Sequence, residues 1–154
     1  MGKFYGNWDT RPVMAGSDTY AYEEDFGFCR DDGLLVISVK DTTTDGASIR
    51  PKVAWAWLGS PLSGWNKEWS APHDTLYRKQ AIILDTNTVD DSVHAFNHWR
   101  DYPPHHFKHQ TCFNRKFADK TLLQAMEACN EGWVKRHTVY RMVRLFGRKA
   151  GWWG

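Results

Sequence analysis

At 154 residues the chain has the length of one domain, able to bury about 70% of the surface its unfolded form exposes, so a single core spanning 1–154 is expected. With 42% hydrophobic and 25% charged residues, intrinsic disorder is set aside, and a formal net charge of +2 makes no electrostatic case for nucleic acid despite the locally basic run Arg136–Lys149. No stretch approaches the ~20 apolar residues of a membrane span, and Met1–Gly16 lacks the apolar run of a secretory signal, so synthesis in the cytoplasm is expected.

In chain order, Tyr20–Tyr22, Phe26–Phe28 and Leu34–Val39 alternate at a strand period around the turn signal Asp31-Asp32-Gly33, which predicts an N-terminal β-hairpin. Thr42–Ser48 reads as a loop, Ile49–Leu58 as the start of a short helix, and Gly59–Gly64 as a second loop rich in Gly, Ser and Pro. The next helix is expected to start at Ser70 as N-cap with Pro72 in its first turn and to end near Leu84, with Leu76, Tyr77, Ala81 and Leu84 on one face. Residues 85–113 hold Pro103-Pro104 and five of the seven histidines, and their length marks an irregular functional or interface insertion. Helices follow over Asn114–Asn130 and Lys135–Phe146, each with an apolar stripe and a glycine beyond its end. Strands first and helices after predict an α+β fold, a small antiparallel sheet packed on about three C-terminal helices.

Several groups stand out chemically. In the first turn of the predicted helix, His73 would feel the positive potential of unsatisfied N–H groups, which favours the neutral ring of a general base or ligand. Tyr77 follows on the same face, and Asp74 lies beside His73, with Arg78 one turn on as a structural partner. Asp119 borders the apolar stripe of the following helix, so its charge needs a partner: Arg115 four residues earlier, His73, or a metal. A His73–Asp119 pair is the minimum for activating water, and a structural histidine is the plain alternative. Asp45, before Gly46 in a loop, is either a turn residue or a ligand aimed at the His-bearing helix. His94, His98, His105, His106 and His109 include four-residue spacings that suit Zn²⁺ or Ni²⁺ but lack the HExxH pattern, which leaves a solvated or interface loop as the other reading. The chain is rich in aromatics, with nine Trp, six Tyr and eight Phe, and Trp65 and Trp69 are candidate binding residues beside His73, as is Arg115. Cys29, Cys112 and Cys129, odd in number and without CxxC spacing, read as free thiols.

The ordered set Asp45-Gly46-Ala47-Ser48-Ile49 with Pro51, Trp57-Leu58-Gly59-Ser60-Pro61, His73-Asp74-x-Leu76-Tyr77, Arg115-x-x-Ala118-Asp119 and Tyr140-x-x-Val143-Arg144-x-x-Gly147 resembles an uncharacterised family of short phage and prophage proteins, a domain of unknown function. The pattern His-Asp-x-x-Tyr on one helix with an Asp on a second is also similar to phospholipase A2 enzymes. That second resemblance implies His73 as base, Asp119 as the acid orienting it, Asp74 as a ligand for Ca²⁺ or another divalent metal, and Gly59–Gly64 in the place of a calcium loop. Three functions remain open on this reading. The leading one is a phage virion or accessory protein, in the tail, neck or capsid, that assembles with other phage proteins and retains a hydrolase-like site. The others are a hydrolase of lipid or cell-wall components, and a host-takeover or anti-defence protein that binds a host protein.

Overall fold

A computed structural model describes residues 1–15, 19–44 and 64–146. The expected short helix within Ile49–Leu58, the Gly59–Ser63 stretch and Asp45 lie outside the described residues.

The described fold is α+β. Its main sheet is antiparallel throughout, in the order β1 (Lys3–Tyr5), β4 (Phe26–Cys29), β5 (Leu34–Ser38), β7 (Ile82–Asp85) and β8 (Phe107–Lys108). A smaller sheet has the order β2 (Thr10–Pro12), β3 (Tyr20–Tyr22) and β6 (Thr43–Thr44). The predicted hairpin is therefore β4–β5 alone, and Tyr20–Tyr22 belongs to the second sheet. The Asp31-Asp32-Gly33 turn closes that hairpin with Gly33 at φ +82, a conformation that suits a residue without Cβ.

Strand alternation splits the core into two faces. On one side Phe28, Val36 and Ile83 meet the helices; on the other Leu35, Ile37 and Leu84 meet Ala95 and Phe96. The helices are α1 (Gly64–Tyr77), α3 (Arg115–Ala128) and α4 (Trp133–Phe146), and the short α2 (Ser92–Asn97) belongs to the histidine-bearing segment. That segment is thus a cover for the second face of the sheet, anchored where Trp99 Nε1 and Arg100 Nη1 both donate to Asp25 Oδ2, at 2.9 and 2.8 Å.

Two expectations about α1 are overturned. The helix begins at Gly64, so Ser70 is a fully buried interior residue and Pro72 sits mid-helix, where its missing N–H leaves the Glu68 carbonyl without its helical donor. His73 consequently lies in the third turn, beyond the reach of the terminal N–H potential. The helix also ends at Tyr77, not Leu84: Lys79 turns to φ +54, and the Ile82-Ile83-Leu84 run, buried on both faces, becomes β7 between β5 and β8.

Candidate functional site

The site is built where α1 crosses α3. Tyr77 and His73 reach Asp119 in the second turn of α3, while Trp69, a turn before His73, shares a cluster with Leu122, Ala125 and Met126, so the two helices run in opposite directions. Four-residue spacing puts His73 and Tyr77 on one face, with ring centroids 4.2 Å apart. Asn114 caps α3 through a bond from Phe117 N, fixing the register that turns Ala118, Asp119, Leu122 and Met126 inward.

Asp119 is fully buried and accepts from every side. Tyr77 donates its hydroxyl to Oδ1 at 2.6 Å, His73 Nε2 lies 3.1 Å from the same oxygen, Arg144 Nη1 donates to Oδ2 at 2.9 Å, and Arg115 Nε lies 3.5 Å from Oδ2. Burial by itself would push the Asp119 carboxyl up, but the His73 hydrogen bond and charge, together with Tyr77 and Arg144, hold it below the usual carboxylate range. Burial, reinforced by the bond to Asp119, pushes the Tyr77 hydroxyl far up, so it stays a donor. An ionised carboxylate only accepts, so His73 Nε2 carries a proton and donates it to Asp119, while Nδ1 makes no hydrogen bond among the described residues. Arg115 also donates from Nη2 to the Arg144 backbone carbonyl, tying α3 to the last turn of α4.

Of the three partners considered for Asp119, the two side chains both reach it, His73 on one oxygen and Arg115 on the other. Asp74 is buried beside Arg78 Nε at 3.3 Å, the structural pairing. Among the described residues no group of three His, Cys, Asp or Glu could hold a metal ion. Asp45 and the side chain of Trp65 lie outside the described residues. Trp69 is 1% exposed and packs in the helical core, so its ring is not a surface contact. Cys29 and Cys129 are poor nucleophiles: burial raises the Cys29 thiol, and burial with the Glu68 charge pushes Cys129 up to about 12.

Arg144 stood in the motif set of the family resemblance but was given no role at the site. Its signal was positional, a cation next to Val143 in the inward stripe of α4 and so on the edge facing a buried acid, but spacing within one helix does not say which neighbour that edge meets.

A family model described as a protein of unknown function, DUF1353, matches residues 20–143. The chain belongs to the DUF1353 family. The DUF1353 match contains His73, Asp74, Tyr77, Arg115 and Asp119 and ends just before Arg144. No curated protein and no solved structure matches the chain.

Proposed function

We propose that this DUF1353 protein is a phage-encoded accessory component carrying a hydrolytic site, with His73 as general base. The observation that carries the reading is the His73 Nε2–Asp119 Oδ1 contact of 3.1 Å, which leaves Nδ1 as the basic nitrogen. In this chemistry Nδ1 takes a proton from water as the water oxygen bonds to an acyl carbon; the bond to the leaving oxygen then breaks, and the proton passes from Nδ1 to that oxygen. Asp119 fixes the ring and offsets the charge it gains, while Tyr77, Arg115 and Arg144 fix Asp119. The motif resemblance to phospholipase A2 supports an ester as the bond cleaved. His73 is 3% exposed, so the reading requires the side chains over it to move before a substrate carbonyl reaches Nδ1.

The test is ester hydrolysis by the purified chain on short acyl esters and on phospholipid vesicles, with and without added Ca²⁺. His73→Ala should lower the rate about 100-fold or more while circular dichroism stays unchanged. Equal rates for the variant and the wild type would remove His73 from the chemistry.

A second reading, a virion component without catalysis, is favoured by the exposed apolar residues of α4, Trp133 at 64%, Val134 at 62% and Leu145 at 70%. Mass spectrometry of purified particles from the encoding phage decides it: a fixed copy number against the capsid protein supports assembly, and absence from the particle rejects it.

A further inference from the structure

Between the main sheet and the segment covering its second face lies a groove of about 670 Å³, in the size range of small-molecule sites. It exists because β8 is two residues long and pairs with β7 only at Ile83 and Leu84, leaving the start of β7 open at the edge. Its apolar lining includes Ile82, Trp99, Pro104 and Phe107. Its charged lining is of one sign: Lys79 and Lys108 contribute to it, and among the described residues no Asp or Glu does. Lys108 Nζ is 3.7 Å from Asp85, which lies outside the lining, and half its side chain remains exposed, so the ammonium has donors left for an anion in the groove.

We propose that this groove binds a straight-chain fatty acid, with the alkyl chain along Ile82, Trp99 and Phe107 and the carboxylate at Lys108 and Lys79. An apolar trough whose charged lining is lysine selects for an apolar body with a negative end, because burying the chain removes it from water and the end meets ammonium donors, Lys108 being shared with Asp85 beyond the lining. The site is separate from His73: none of His73, Tyr77 and Asp119 belongs to the lining of the groove.

Isothermal titration of the full chain with hexanoate, octanoate and decanoate, each below its micelle concentration, tests the assignment. Affinity should rise about fourfold per added methylene, and decylammonium, of the same length and opposite charge, should bind at least tenfold more weakly than decanoate. Lys108→Gln should weaken decanoate about tenfold, and His73→Ala should bind it as the wild type does, which keeps this result independent of the hydrolytic reading. Affinity that does not depend on chain length, or equal binding of decanoate and decylammonium, overturns the proposal. So does a folded Lys108→Gln protein with unchanged affinity.

Discussion

Replacing Asp119 by Asn changes one atom at the point where α1, α3 and α4 meet. The carboxylate accepts from Tyr77 and His73 on one oxygen and from Arg144 on the other, which also forms an ion pair with Arg115; the amide offers one oxygen and turns its NH2 towards two groups that are themselves donors. Removing one member of a buried pair typically costs about 3–5 kcal/mol. Arg144 has a side chain 37% exposed and can rehydrate, so the lower end, about 3 kcal/mol, is expected. For a chain of this length that corresponds to a fall in Tm of about 6–12 °C. The pH dependence gives an independent check. Because the folded Asp119 carboxyl is held below its unfolded value of about 3.9, folding favours the deprotonated form; that stability is fully present above the unfolded value and drains away as pH falls through the folded one. Urea denaturation of wild type and Asp119→Asn should therefore show a gap of about 3 kcal/mol at pH 7 that narrows below about pH 4. A gap under about 1 kcal/mol at pH 7, or one that stays constant into acid, would refute the view that an ionised Asp119 holds the three helices together.

Three further substitutions probe other contacts. Tyr77→Phe removes a donor to a charged acceptor and should cost about 1.5–2 kcal/mol in urea denaturation, less than Asp119→Asn because His73 and Arg144 still serve the carboxylate. In Gly27→Ala the new Cβ would meet Phe96 Cδ2 at 2.7 Å, so a loss of about 1–3 kcal/mol is expected, partly recovered in a Phe96→Leu background; full stability in the single variant would show that the cover on the second face yields freely. Asn114→Ala removes the α3 cap and should cost about 1 kcal/mol, read from the urea midpoint at constant m.

How far these features could be read from sequence depended on whether the signal was local. Helices α3 and α4 were legible because Leu122, Ala125 and Met126, and Val139 and Val143, repeat at helical spacing on a half-exposed surface, with Asn114 marking a boundary. The start of α1 was misread because Ser70-Ala71-Pro72 imitates a cap followed by a first-turn proline, yet packing against α3 carries the helix back to Gly64. The run Ala81-Ile82-Ile83-Leu84 was ambiguous for another reason: a strand covered on both faces loses the alternation that distinguishes it from a buried helix. At the site, His73, Tyr77 and Asp119 were legible as a group because a charge beside an apolar stripe demands a partner. Arg144 was not, because an arginine on the half-exposed edge of a helix is ordinarily a solvated charge and, unlike a carboxylate beside an apolar stripe, calls for no partner.

The pairing of β5 with β7 brings its own order of events. These neighbours in the centre of the sheet are separated by the whole of residues 39–81, α1 included, whereas β4 and β5 are joined by a tight turn. Closing the long loop costs chain entropy before any contact offsets it, so the β4–β5 hairpin is the natural early structure and β7 its late addition. Until β7 arrives, Leu35 and Ile37 lie beside an open strand edge, and the nascent chain is most exposed to mispairing there.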